Sequence, residues 1–370
     1  MPARGDAPVI SVYDRDGAFQ DWVRAPVSLR ATPRWWGVGT AELVLHQRDA
    51  RAALLRTPGS RVQIEARGGH VLGGPVTSWS TQGPQDATWT FGITDDAHIL
   101  ERILVLPDPS KPADQQPPAA MRQTGRLESV VKAMVAANAP LVGIPVDIAA
   151  DQGRGPNVTL SGRWQPLSEV VGESLHAAGM AVRVTWQPGT RRVLLDVAEQ
   201  RTYGVTLSVQ SRTITSYRLA YTAPAATRVF LGPSNGTSYT VATNTTGEAQ
   251  WGPALHGGVF RAAENTDEAS TAGSDALNDA AAATGLSVTL SESGLVRYGG
   301  AGGLRVGDRA TLLVGDVSVT DVVSEATLEW APGSALSVRP AVGGWDDSPA
   351  FALADAVRRA AATVRRYAHR

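Results

Sequence analysis

The sequence predicts a mixed β and α+β chain of several domains, in which small β-barrels flank an inserted α+β domain. Three observations carry this. Alternating apolar and polar runs, joined by short turns, fill the chain from Val9 to Leu106. The apolar period then changes from about 2 to about 3.6 over Arg126–Asn138 and Trp164–Ala178. Alternation returns after Arg201 and continues to Pro340.

Val9–Tyr13 reads as a strand followed by a turn at Asp14–Gly17, and Trp22–Leu29 continues it. In Thr40–Leu45, Ala41, Leu43 and Leu45 point one way and Glu42 the other. Asp49–Arg56 is a short helix with Asp49 as its cap and Leu54 and Leu55 facing inward. Arg61–Ala66 alternates with Val62 and Ile64 on one face. Val71–Trp79 and Thr88–Ile93 continue the sheet. So many short strands suggest a closed or nearly closed barrel, which removes exposed edges. The stretch Ala87–Ser110 leads out of this module, with the apolar run Ile99–Leu106 stopped by Pro107 and Pro109.

Lys111–Ala120 is a Pro-rich loop. Leu127, Val130, Val131, Met134 and Val135 then form one helical stripe, and Leu167, Val170, Val171 and Leu175 another. Pro166 suits the start of the second helix and Gly179 the position just past its end. Met180–Trp186 and Arg192–Ala198 form a hairpin whose apolar face the helices would cover.

Further strands are expected at Gly204–Val209, Ile214–Tyr221, Thr227–Leu231, Ser238–Ala242, Gly257–Ala262, Leu286–Leu290 and Gly294–Tyr298. Asn235–Gly236 is a hairpin turn signal. Ser270–Thr284 reads as a helix. Arg309–Val314, Ser318–Glu325, Thr327–Trp330 and Leu336–Pro340 make a meander. Phe351–Ala368 is an Ala-rich helix, with Leu353, Val357, Ala361 and Val364 in a narrow stripe. The expected domains are 1-110, a barrel-like β domain; 111-125, a Pro-rich loop; 126-200, the α+β insertion; 201-343, a second β-rich domain with a helix over 270-284; and 344-370, a linker and C-terminal helix.

Composition narrows the function. A net charge of -1 disfavours a general nucleic-acid surface. Two lysines, Lys111 and Lys132, against thirty-two arginines read as coding bias. The absence of cysteine removes disulfides, thiolate metal sites and cysteine nucleophiles. The opening MPARGDAPVISVYD has no apolar signal core, so no leader is expected, and no window is long enough for a spanning helix. The N-x-T triplets at Asn157, Asn235 and Asn244 are then chance matches.

No catalytic pattern emerges. The six histidines show neither HExxH nor HxH spacing, so no metal or cofactor is assigned. There is no G-x-S-x-G elbow and no phosphate-cradling glycine pattern. The adjacent pairs Asp95–Asp96 and Asp346–Asp347 read more simply as solvated turn caps than as a glycosidase acid and base. The glycine runs at Gly68–Gly69, Gly73–Gly74 and Gly299–Gly303 read as hairpins and close backbone approaches. Trp35 and Trp36, beside Gly37, and Trp251 are the candidates for a partner or ligand surface, with core filling as the competing reading.

The order of motifs resembles the siphovirus Gp37-like minor tail proteins of actinobacterial phages. Asp95–Pro109, DDAHILERILVLPDP, is similar to that family's D-D-x-x-L-x-x-R-x-x-x-P-D-P segment. Gly162–Leu175 resembles its R-W-x-x-L-x-x-x-L helix, and Ser216–Tyr221 with Pro224–Gly232 its S-Y…P-x-A-T-x-V-x-V-G stretch. Gly307–Asp308 matches its late G-D turn. Arg34–Leu45 departs from the family's N-D-x-G-S-F-E-L, since the Asn-Asp is absent and Gly37 and Gly39 stand in that region. The resemblance covers Pro8–Gly343.

It implies a non-enzymatic, structural virion protein of the tail tip, built like phage baseplate hub proteins. It also implies a homotrimer whose barrels ring the DNA path, joining the distal tail protein or tail tube to tip and fibre proteins. The family supplies no catalytic residues. Three other readings stay open: a host glycan-binding tail module, a peptidoglycan hydrolase, and the hub of a contractile injection device.

Overall fold

The computed structural model describes residues 7–81, 88–142, 145–222, 226–232, 240–252, 258–262, 277, 283–293 and 296–343. It divides into two compact units, Met1–Ser216 with Val288–Gly343, and Tyr217–Ser287 with Gly344–Arg370. The architecture is mixed α/β, with several sheets and helices, as the periodicities predict.

The first unit opens with β1 (Val9–Tyr13), β2 (Phe19–Val23), β3 (Ser28–Thr32), β4 (Thr40–His46), α1 (Ala50–Leu55), β5 (Arg61–Ala66), β6 (Gly69–Ser80) and β7 (Thr88–Thr94). In β4, Ala41, Leu43 and Leu45 are buried between exposed Thr40, Glu42 and His46, which is the expected alternation. Asp49 caps α1 by accepting the Arg51 N–H at 2.9 Å, and Leu55 is buried. The long β6 pairs with β5 over its first half and with β7 over its second. It passes Thr94 so closely that a Cβ on Gly74 would lie 1.8 Å from the Thr94 carbonyl oxygen, so only glycine fits there.

The apolar run after β7 folds as α2 (Ile99–Arg102) and β8 (Leu104–Val105). Rather than finishing the first core, Ile99, Leu100, Ile103 and Val105 belong to a second one. That core is built with β9 (Met121–Arg126), α3 (Leu127–Asn138), β10 (Val146–Ile148), β11 (Asn157–Gly162), β12 (Gln165–Pro166), α4 (Leu167–Ala177), β13 (Met180–Gln187) and β14 (Arg192–Glu199). The stripes expected on both helices are buried, except for Val170, which is partly buried against the same core. Pro166 stands at the cap of α4, and Gly179 follows with φ +67. β13 and β14 form the antiparallel hairpin, and β10 adds to β14 in parallel.

The hairpin is covered on both faces. The helices take Val184, Trp186, Leu195 and Val197, while Ala181 on the other face packs with Trp35 and Val322. A four-charge network ties α3 to the following loop and to β14. Glu128 is fully buried, Lys132 binds it at 2.7 Å, and Arg154 at 2.8 Å. Asp196 completes the set, 2.8 Å from Lys132 and 3.0 Å from Arg154.

The chain goes on as β15 (Arg201–Thr202), β16 (Leu207–Ser208), β17 (Ile214–Thr222), β18 (Arg228–Gly232), β19 (Thr240–Thr243), α5 (Thr245–Trp251), β20 (Gly258–Ala262), β21 (Ala283–Leu290), β22 (Asp308–Val314), β23 (Val317–Trp330) and β24 (Ser337–Val342). The strand expected over Gly204–Val209 shrinks to β16, because only Leu207 and Ser208 pair with β22 there. The two strands expected at Ser318–Glu325 and Thr327–Trp330 are one, β23, with a register shift between Val323 and Glu325. Of the strand expected over Gly294–Tyr298, residues 294–295 lie outside the described residues, Val296 and Arg297 are not in a strand, and Tyr298 makes an isolated bridge to Leu304.

β23 pairs with β3, setting Leu328 opposite Ala31 and Trp330 opposite Leu29. The early strands therefore do not close on themselves. β2 ends the strand order, and the edge of β3 is taken by β23 from the far end of the chain. The first core accordingly includes Tyr298, Ala326, Leu328, Leu336 and Val338.

In the second unit β18 lies between β19 and β20. Asn244, the asparagine of an N-x-T triplet, caps α5 by accepting the Gly247 N–H at 2.9 Å. The sequence reading missed this short helix. The Asn235–Gly236 turn, the helix at Ser270–Thr284 and the tail at 344–370 lie outside the described residues, apart from residue 277 and residues 283–284, which already belong to β21.

Candidate functional site

Trp35 and Trp36 sit where three distant segments meet. The Trp35 N–H donates to the Ser324 carbonyl at 2.8 Å, and its ring is only 5% exposed. Gly307, at φ +92, lies flat beneath the ring. Trp36 is half-buried, its Nε1 donates to the Met180 carbonyl at 3.0 Å, and its ring lies 4.3 Å from that of His176. The pair thus wedges the first core against β13 and α4. Trp251, the third sequence candidate, ends α5 in the second unit and is half-buried.

A second seam runs alongside. Arg61 donates to both oxygens of Asp96 at 2.6 and 2.7 Å and stacks over Trp186 at 4.3 Å. Tyr13 meets the edge of the same indole at 6.0 Å. Asp96 is 2% exposed, and burial raises its carboxyl above the ordinary range even though Arg61 opposes this. Asp95 does cap the next turn, accepting the Ala97 N–H at 3.0 Å, but burial pushes its carboxyl up to about 6. Neither is the solvated cap that the sequence suggests. Alternation within one strand does not reveal what another segment lays over a turn.

Next to Trp35 lies a cavity of about 370 Å³. Trp35, His70, Arg183, Arg201, Tyr298 and Asp308 are on its walls. Arg201 binds Asp308 through Nε at 2.8 Å and Nη2 at 2.6 Å. His70 is open to this space yet surrounded by protein, and desolvation, helped by Arg183, lowers it to about 4. Burial pushes the Tyr298 hydroxyl up to about 12. Among the described residues no group of three His, Asp or Glu side chains is placed to hold a metal ion.

The exposed aromatics lie elsewhere. Trp79, at the end of β6, is 51% exposed and meets Trp89 edge-on at 5.4 Å, while Arg56 covers Trp89. Phe19 and Trp22 on β2 are 44% and 45% exposed, with rings 4.5 Å apart. Leu104 on β8 and Trp164, just before β12, are also exposed. Exposed aromatic pairs are common at association surfaces. Sequence reasoning passed over them because strand pattern alone does not say which apolar residues run past the end of the core.

The family model for Siphovirus ReqiPepy6 Gp37-like protein matches residues 9–344. No curated protein matches the chain in sequence. Solved structures are similar in fold over almost their full length. The 43 kDa tail protein of prophage MuSo2 from Shewanella oneidensis has a TM-score of 0.57 at 12% identity, covering 90% of this chain and 98% of that one. Prophage tail protein gp18 from Listeria monocytogenes EGD-e has a TM-score of 0.56 at 12% identity, covering 95% and 98%. A tail protein from Neisseria meningitidis MC58 gives 0.55 at 12%, covering 92% and 97%.

Proposed function

The chain belongs to the Siphovirus ReqiPepy6 Gp37-like family, and from that premise we propose that it is a non-enzymatic structural protein of a phage tail. The observation that carries this is the likeness to two prophage tail proteins across at least 90% of this chain and 98% of theirs. The finer reading is a hub of the tail tip. It joins the tail tube or distal tail ring to tip and fibre proteins and surrounds the DNA path as a homotrimer. Exposed aromatics on several strand ends suit a protein with more than one neighbour, and a ring needs repeated contacts between different faces.

The test is position in the particle. Gold-labelled antibody against this chain, viewed on intact virions, is expected at the tail tip. Label along the tail shaft would remove the hub reading and keep the tail role, and label on the capsid would remove both. Light scattering of the purified protein is expected to give a species near three times 38.8 kDa.

A glycan-binding module is the second reading. Trp79, exposed and held edge-on against Trp89, supports it, because an exposed indole face suits a sugar ring. Retention of the wild type on purified cell walls, lost in Trp79→Ala, would favour it.

A further inference from the structure

The cavity beside Trp35 has three walls from distant parts of the first unit. β13 supplies Arg183 and Thr185, β6 supplies His70 and Val71, and the segment before β22 supplies Val306. Leu328 and Leu336 add apolar floor. Its cations are not alike. Arg201 is committed to Asp308 at 2.6 Å. Arg305 is exposed and donates to the Gly300 carbonyl at 2.8 Å. Arg183 is half-buried, and among the described residues no carboxylate lies within ion-pair distance of it. Its hydrogen bond to the Arg34 carbonyl is long, at 3.4 Å, and it stands 5.8 Å over Trp35.

A half-buried guanidinium with one weak partner is under-satisfied, since it carries five donors. The negative groups nearby do not complete it. Asp95 acts on it only at longer range, and Asp308 is occupied. Glu199 also lines the cavity, but it is exposed and makes no ion pair with Arg183. We infer that this cavity binds a carboxylate carried on an apolar body, with Arg183 gripping the carboxylate and Val71, Val306 and Leu328 lining the apolar end. A planar carboxylate matches the guanidinium fork, and the volume admits a small ring or a chain end. The source is either a free small acid or a carboxylate on a neighbouring protein segment, and the chemistry at Arg183 is the same.

The probes are benzoate and inorganic phosphate, titrated calorimetrically into the full chain at low salt. Benzoate is expected to bind saturably and phosphate far more weakly. Arg183→Met is expected to weaken benzoate about tenfold or more, the size of a lost charge-assisted hydrogen bond. Arg183→Lys, which keeps the charge without the fork, should fall between. Labelling of the unmutated protein with phenylglyoxal gives a readout free of folding defects, in which benzoate protects Arg183. If protection then extends to a short peptide with an apolar C-terminal residue, a protein segment is the source; if only benzoate protects, a free acid is. The inference is overturned by any of three results: no saturable benzoate binding, wild-type binding by Arg183→Met, or phosphate binding in preference to benzoate.

Discussion

Trp35 packs so tightly on Gly307 that a Cβ built on the glycine would lie 2.2 Å from the indole Cε3. The glycine also holds φ +92, a conformation that side chains disfavour. Gly307→Ala is therefore expected to destabilise the protein by about 3 kcal/mol, combining overpacking and left-handed strain. Gly315→Ala is the control. Its φ is +65 but nothing lies within 4 Å of the added Cβ, so about 1 kcal/mol is expected. Urea unfolding midpoints of the two variants measure the difference.

The first core depends on residues near the other end of the chain. Leu328 is 2% exposed and faces Ala31 across β3. Leu328→Ala should cost about 2–5 kcal/mol. A fragment of residues 7–110 leaves the edge of β3 open and lacks Ala326, Leu328, Leu336 and Val338. It is expected to lack cooperative thermal unfolding by circular dichroism, and a sharp transition would show that the early strands are self-sufficient.

Glu128 pairs with two cations at once, buried Lys132 and half-buried Arg154. Lys132 and Arg154 hold its carboxyl far below the usual range, with Arg154 the stronger influence. Glu128→Gln leaves Asp196 as the one carboxylate paired with Lys132 and Arg154, and a loss of about 3–5 kcal/mol follows. A carboxyl depressed in the folded state gives stability that is complete above the unfolded value of 4.5 and declines as pH falls. The gap between wild type and Glu128→Gln should therefore narrow in acid, and melting temperatures at pH 7 and pH 3 would show it.

Asp95 works in the opposite sense. Burial holds its carboxyl at about 6 against an ordinary 3.8, so the folded state keeps the proton longer. Its contribution is full below about pH 4 and is lost as pH rises through about 6. Asp95→Asn still caps the turn and has no charge to bury, so it is expected to stabilise the protein by about 1–2 kcal/mol at pH 8 and by little at pH 4. His70, lowered to about 4, pulls the other way between about pH 4 and 6.5. Only the difference between variant and wild type, measured across pH, isolates Asp95.

Much of the local structure was legible from residue order. β1 and β5 fall where alternation put them, and α1, α3 and α4 within a few residues of the expected bounds, because backbone pattern and caps act over short range. The failures share a cause. Val317–Trp330 reads as two strands because a register shift near Val323 interrupts the alternation, yet the strand runs on, its first half paired with β22 and its second with β24. For Trp35 and Trp36 the residue order left a partner surface and core filling both open, and contacts with Ser324, Met180 and Gly307, all remote in sequence, bury Trp35 and half-bury Trp36.

By itself, then, the sequence determined the periods, the caps, the order of motifs and the family they resemble, since each of these is written in neighbouring residues. The tertiary structure decided which strand completes the first core, which aromatics stay exposed, and how Asp95, Asp96 and Arg183 are placed. Those outcomes depend on burial and charge supplied by segments that meet only when the chain folds.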